Sequence, residues 1–545
     1  MASHTFTGTT MPVNSPHESR IVGPVGVGGE SVSAPIPRSS GRLDRAVLGC
    51  HSGVTRTTGI RKGSRMPDSP PRPSRPSPDA EFPDAVQIAI VGGGPVGLQL
   101  ACEISLRGIS CAVLEREPRI APATRALVLH SRTLEYFDMR GIAEPFVAAG
   151  HRYRHYPLGT PLATAPFGPL DSPFPYALAL PQCETESLLE AYARKSGALV
   201  IRDADVTGLR QGADGVVLTV RHAGRVRCLR ASYAAGCDGA RSTVRRLTAV
   251  PTTRFVYPYD VTSVDARLDL EPQQPWSRCG RDGMALLLPF GDGLWRAILY
   301  DYRPCGAGRA RGADVADAAA LLRRIAGRDL ALRDVRQISR YRCERLHASR
   351  YRHRRVVLAG DAAHVHPPTG GQGLNTGIAD AMSLGWRLAA AAADPRRDLL
   401  LDAYAHERRH TATSVLRLTG ALLHLNAAPA VWAHALRAVV LRAARSPAVR
   451  SRLAATLAGL SPSAGQTDGR FRGGRRVPDV PLLAAPDHGS PARLFEALRA
   501  GHHVHLTPAH GTSDPRAQSL PHPLVTVRSD ACRRACVVRP DGYAL

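Results

Sequence analysis

The stretch "VQIAIVGGGPVGLQLACEISLRG" at Val86–Gly108 constrains the fold more than any other part of the chain. Its first six residues read as a buried strand. A glycine-rich turn follows, then a helical periodicity ending at Gly108. "SCAVLERE" reads as a second strand, so a βαβ unit opens here. Gly92, Gly94 and Gly97 form G-x-G-x-x-G at the strand–helix junction. The first glycine permits the tight turn. The second lets the backbone approach a pyrophosphate, and the third lets helix and strand pack closely. Pro95 and Val96 open the helix, whose N-terminus offers free N–H groups and partial positive charge to phosphates. Glu115 lies 18 residues past Gly97, where a carboxylate accepts from ribose hydroxyls, and Arg116 follows it. The pattern predicts dinucleotide binding. The plainer reading of the glycines alone is a tight turn without ligand.

The same fingerprint serves NAD and FAD, and the decision comes from far downstream. "RRVVLAGDAAHVHPPTGGQGLNTGIADAMSLGWRLA" runs from Arg354 to Ala389. A strand ends in Gly360-Asp361, a Pro- and Gly-rich loop follows, and a long helix begins near Asn375. A strand-end aspartate suits a ribitol hydroxyl. Bare N–H groups at a helix start suit an anionic ring edge. An NAD dehydrogenase has no need of this second site.

Three motifs together carry a family resemblance: "GGGPVG", "GCDGARSTVR" at Gly236–Arg245, and "GDAAHVHPPTGGQGLNTGIADA" at Gly360–Ala381. With "TRALVLHSRTLEYFDMRGI", "LPQCETESLLEAYA" and "LDAYAHERR" in support, the chain resembles the class A, single-component flavoprotein monooxygenases, in the branch of aromatic-polyketide and phenol hydroxylases. The resemblance covers nearly everything after residue 85. It implies an α/β fold: a Rossmann-like FAD-binding domain like that of para-hydroxybenzoate hydroxylase, interleaved with a β-sheet substrate domain, plus a C-terminal thioredoxin-like domain.

Residue roles follow from the resemblance. Gly92, Gly94, Pro95, Val96, Gly97, Glu115 and Arg116 would hold the ADP half of FAD, and Arg125 would reach the pyrophosphate. Gln182 would contact the flavin side. Asp238 and Gly239 would tie the FAD site to the nicotinamide cofactor. Asp361 would bind the ribityl chain, and Pro368, Gly371, Gln372, Gly373, Leu374 and Asn375 would line the isoalloxazine. The implied reaction takes hydride from NADPH or NADH and passes one oxygen atom of O2, through a flavin C4a-hydroperoxide, to an aromatic ring. Baeyer–Villiger insertion, epoxidation and drug modification share every motif. A non-catalytic flavin-binding redox sensor is the non-enzyme alternative. The missing Trp-x-Trp-x-x-Pro element argues against a halogenase. No catalytic base is evident, and a phenolic substrate could bind as its phenolate. Arg132 is a candidate to lie near the ring, or else a helix-surface arginine. His364 and His366 flank the loop and read as structural before acid–base.

The rest of the chain divides around these motifs. Residues 1–85 are rich in Gly, Ser, Pro and Arg and read as disordered, with Met66 an alternative start. The FAD-binding domain is expected at 86–160, 180–248 and 335–400. The substrate sheet is expected at 161–179 and 249–334, with "MALLLPFGDGLWRAILYDY" a hairpin inside it. A helical segment at 401–465 precedes a thioredoxin-like domain at 466–545, expected in a shortened form. That domain lacks Cys-x-x-Cys, so redox activity is not expected of it. "RRLTAVPTTRFVYPYD" departs from the family's Gly-rich segment after the Asp-Gly motif, which leaves the substrate contacts open.

Composition narrows the partners. The net charge is +25, carried almost wholly by arginine, but the arginines are dispersed and aromatics are 5%. Nucleic-acid recognition would ask for a basic stripe with interleaved aromatics, so the surface reads instead as attracting small anions. No apolar run reaches the roughly 20 residues needed to span a bilayer. The N-terminus lacks a secretory pattern, and 11 scattered cysteines fit reduced thiols, so a cytoplasmic monomer or homodimer is expected. "HHVH" at 502–505 reads as a strand rather than a metal site.

Overall fold

The computed structural model describes residues 82–122, 126–160, 163–280, 282–303, 314–427, 446–461, 474–483, 490–510, 513–519, 523–532 and 534–545, with 439, 442 and 443 between them. The extension expected at 1–85 lies outside the described residues up to residue 81, and Ala85 already belongs to the first strand, Ala85–Val91. Arg125 also lies outside them.

Ala85–Val91 runs in the middle of an eight-stranded sheet. Cys111–Leu114 lies parallel on one side, followed by Leu199–Ile201. On the other side lie the end of Arg225–Gly236 and then Val356–Leu358, also parallel. The central residues Ile88 to Val91, Cys111 to Leu114 and Val356 to Leu358 are all buried, as strands covered on both faces must be. Two registers decide where ligands go. Val91 pairs with both Leu114 and Gly236, and Gly236 pairs with Leu358. Four parallel strands therefore end at one level, and the loops that leave them converge at a single carboxyl edge, the usual ligand position in such sheets.

A second, six-stranded sheet stands over this edge, with Thr252–Arg267 paired to both Leu294–Asp301 and Arg333–Ala348. Its pleat sorts side chains by period two. Ala285, Leu287, Trp295 and Leu299 face the helix Val315–Ala326. Met284, Leu286, Leu288 and Tyr300 turn the other way, against Tyr153, Tyr156 and Phe167. Two expected boundaries fall within strand pairings. Arg333–Ala348 belongs to this sheet over its whole length, so a limit at 334 falls inside a strand; the arginines along "RDVRQISRYRCERLHA" hide its alternation. Likewise His155–Thr160 pairs with Ala163–Pro166, so a limit at 160 divides a hairpin.

The helix expected near 375 starts at Gln372 and runs to Ala393. The next, Leu399–Ala427, packs beside it. Near the end of the chain, His503–Pro508 pairs in parallel with Leu524–Ser529 and antiparallel with Cys536–Val538. Arg387 and Arg539 both bind Glu407, which ties this small sheet to the two long helices.

Candidate active site

The glycine loop is shaped by contacts that admit no side chain. Gly92 has φ +108°, and a Cβ there would lie 2.4 Å from the Cys237 carbonyl oxygen. A Cβ at Gly97 would lie 1.9 Å from the Gly92 carbonyl oxygen, so helix and strand meet only because it is absent. Glu115 clasps the loop from the neighbouring strand: Oε2 accepts from Gly93 N–H at 2.6 Å and Oε1 from Glu117 N–H at 2.8 Å. Arg116 is exposed and pairs with Glu117 at 3.3 Å. The helix Pro95–Ser105 has Gly94 as N-cap and no side-chain cap. Its first-turn N–H groups at Val96 and Gly97 therefore have no acceptor within the helix.

The distant loop meets this one directly. Val96 wedges between the strand-end turn and the second helix: a Cβ at Gly360 would lie 2.9 Å from Val96 Cγ2, and one at Gly377 2.6 Å from it. Asp361 sits on the 3-10 turn Gly360–Ala362, with its side chain exposed. Helix Gln372–Ala393 is capped by Gly371 at φ +64°, again with no side chain on its first N–H groups. Space is open where a Cβ would project from Gly239 or Gly373. Two uncapped helix starts, an exposed strand-end aspartate and glycines facing open space form a cradle that fits a pyrophosphate and a flat anionic ring, so the residues present fit FAD.

Other expected residues act as braces in this structure. Asn375 Oδ1 accepts from His130 N–H at 2.8 Å and Thr133 Oγ1 at 2.7 Å, while Nδ2 donates to the carbonyls of Val128 and Gly371. Gln372 Nε2 donates to the Gly370 and Leu457 carbonyls. Both side chains fix the helix start rather than reach outward. Leu374 packs against the core, and Pro368 is half-exposed. Gln182 bonds with Ala126 through backbone and side chain, and its Nε2 donates to Glu186 at 2.7 Å. Asp238 caps a short helix, accepting from Ser242 Oγ, Thr243 N–H and Val244 N–H. Arg132 is not a helix-surface arginine. Its guanidinium is buried, donates to Glu135 and to the Asp541 carbonyl at 2.7 Å each, and stacks on Tyr136 and Tyr543. It belongs to the seam with the C-terminal segment.

The comparisons agree with this geometry. Residues 85–419 match the family model described as "FAD binding domain". The chain belongs to this family. A 12-dehydrotetracycline 5-monooxygenase/anhydrotetracycline 6-monooxygenase from Streptomyces rimosus is 35% identical over 490 residues, covering 84% of this chain and 94% of the relative. The solved anhydrotetracycline hydroxylase OxyS of that organism superposes with TM-score 0.72 at 35% identity, over 84% of this chain and 95% of its own. The solved Diels-Alderase PyrE3 of pyrroindomycin biosynthesis superposes with TM-score 0.71 at 30% identity, over 85% and 96%. The protein is an FAD-dependent monooxygenase of the para-hydroxybenzoate hydroxylase-like α/β fold.

Within the flavoprotein, several functional groups escaped sequence reading. Arg245, near the end of the "GCDGARSTVR" motif, donates to the Ala362 carbonyl at 2.7 Å and so ties that motif to the Gly-Asp turn. Asp380 holds the same turn, accepting from Gly360 N–H at 3.0 Å. It also accepts from His364 Nε2 at 2.5 Å and Arg408 Nε at 2.6 Å. Burial works to raise its carboxyl, but His364 and Arg408 outweigh that and hold it at about 2. His130, whose Nε2 meets the Gly370 carbonyl, is pushed down to about 4 by burial. Nearby residues in "GIADA" and "AHERR" were in plain view, but nothing in their spacing announces the pairing. Among the described residues no helix is long and apolar enough to cross a membrane, and no group of His, Cys, Asp and Glu could hold a metal.

Proposed function

We propose that the enzyme uses NADPH or NADH and O2 to insert one oxygen atom into an aromatic polyketide or phenolic substrate. The carrying observation is the direct meeting of the two loops at Val96, Gly360 and Gly377 under a sheet whose lower face is apolar and tyrosine-rich. In this reading Gly92, Gly94, Gly97, Glu115 and Arg116 hold the ADP half, and Arg125 reaches the pyrophosphate. Asp361 takes the ribityl chain. The backbone of Gly371 to Asn375 meets the ring, with Pro368 at the loop's bend.

Bound FAD supplies the redox and oxygen chemistry. The chain supplies the rest. The start of the Gln372–Ala393 helix places partial positive charge where a reduced ring gathers negative charge. Tyr156, Met284, Leu286, Leu288 and Tyr300 exclude water, which keeps oxygen transfer ahead of wasteful release. Asp238 acts through the backbone it caps, orienting the turn on which nicotinamide access depends. The C-terminal three-stranded sheet is read as thioredoxin-like and as a buttress of the fold without redox chemistry. Among the described residues no cysteine is in a disulfide, in keeping with a reducing compartment such as the cytoplasm.

The test is NAD(P)H oxidation by the yellow holoenzyme with and without a panel of polycyclic phenols, with products weighed. Substrate-dependent oxidation and a gain of one oxygen support the proposal. The likeness to a Diels-Alderase gives the contrasting outcome: an isomeric product with no NAD(P)H consumed. Baeyer–Villiger, epoxide or drug-derived products would change the substrate assignment and keep the flavin.

A further inference from the structure

One buried cluster beside the flavin loop has a chain of hydrogen bonds that ends in an unanswered atom. His364 Nε2 lies 2.5 Å from Asp380 Oδ2, and His364 Nδ1 lies 2.9 Å from His366 Nε2. His366 Nδ1 is buried, and no described group bonds to it. His366 immediately precedes Pro367 and Pro368, the turn into the loop that the proposed function sets against the isoalloxazine.

The proton positions follow by elimination. Asp380 is ionised and also accepts from Arg408 and Gly360 N–H. A carboxylate only accepts, so His364 must donate from Nε2. If His364 is neutral, its Nδ1 is a bare acceptor, and His366 must donate to it from Nε2. That leaves His366 Nδ1 as a bare lone pair in a buried place, where a lone polar atom is costly. A second state has one proton more. A proton entering at His366 Nδ1 displaces the one on Nε2 onto His364 Nδ1. His364 becomes an imidazolium that donates from Nε2 to Asp380 and from Nδ1 to the now bare Nε2 of His366. At His366 one N–H bond forms and one breaks, at His364 one forms, and the added charge comes to rest on His364, between Asp380 and His366.

Electrostatics selects between the states. Asp380 and Arg408 cancel, so the cluster is neutral with both histidines neutral. Burial, followed by the neighbouring His364, pushes His366 well below the ordinary histidine range, which favours the neutral pair at rest. The other groups facing it offer little compensation. His347 is half-buried and bonded to Tyr351, which stacks on His364, and Arg409 adds positive charge from the Leu399–Ala427 helix. An added proton is therefore stable only when negative charge appears nearby.

We propose that His364 and His366 form a one-proton store that loads through His366 Nδ1 when the bound flavin gains electrons, and discharges when they leave. The electrons come from the nicotinamide cofactor and the proton from solvent. This rests on the proposed function, because it needs flavin at the loop. His366 is then a positioning residue for charge, distinct from a merely packed histidine.

The experiment uses the FAD-loaded protein, reduced photochemically in weakly buffered solution with a pH indicator. His366→Gln keeps an amide where Nε2 stood and removes the Nδ1 acceptor. The expected result is one fewer proton taken up per flavin reduced in His366→Gln than in the wild type, with FAD still bound. Equal uptake in the two proteins overturns the proposal and leaves the flavin reading intact; failure of wild-type protein to take up FAD defeats that reading instead. If His366→Gln does not fold, nitrogen NMR of histidine-labelled wild type decides. Ring nitrogens must change from a neutral pair to one imidazolium on reduction, and unchanged spectra overturn the proposal.

Discussion

Val96 and Gly360 touch across the flavin cradle, with the valine methyl 2.9 Å from where a Cβ on the glycine would stand. The contact joins the first βα loop to the distant strand-end turn, so neither loop can shift without the other. Gly360 also has φ +60°, a conformation other residues adopt at a cost.

Gly360→Ala is expected to push the two loops apart while leaving the parallel sheet in place. Overpacking of this kind costs about 1–3 kcal/mol, equivalent to roughly tenfold or more in affinity. Circular dichroism should stay close to wild type, and titration with FAD should show the weakening.

Glu115→Ala removes the acceptor from Gly93 N–H and Glu117 N–H. An orphaned donor costs about 1–3 kcal/mol, so FAD affinity should fall roughly 10- to 100-fold. Flavin fluorescence on dilution reads this directly.

Asp380 makes stability depend on acidity. Its folded value of about 2 lies below the ordinary carboxylate value of about 3.9. The stabilisation is therefore fully present above about pH 4 and is lost as pH falls toward 2. Asp380→Asn should cost about 3–5 kcal/mol at neutral pH, because Arg408 is left buried without its counter-ion. Urea unfolding should show the two proteins converging as the solution is acidified.

Arg132→Met should lower the melting temperature and leave the flavin spectrum and substrate-dependent NAD(P)H oxidation per folded molecule unchanged. The guanidinium bonds only within its seam, to Glu135 and the Asp541 carbonyl. A selective loss of turnover would return Arg132 to the reacting ring.

Both flavin loops were legible because their requirements are local. Gly92 and Gly97 are needed by atoms within a few ångströms, and the apolar strands beside them announce a sheet. The helix start was placed about three residues late because Gly371 caps it by backbone conformation, without the polar side chain that marks most helix beginnings. The strand Arg333–Ala348 was missed because its exposed arginines break the expected alternation. The burial of Arg132 was not legible for the opposite reason: its partners Asp541 and Tyr543 lie some 400 residues away, and no local pattern encodes them. Asp380 and Arg408 stayed invisible because no spacing pattern encodes their pairing with each other and with His364.

The shared level of the four strand ends also has a kinetic meaning. Beyond the adjacent pair Ala85–Val91 and Cys111–Leu114, the parallel partners must find each other across more than 100 residues before either glycine loop faces the other, and such non-local pairing is slow. Cofactor capture is thus a late event, and the appearance of colour during refolding would time the closing of the whole architecture, not the formation of its opening motif.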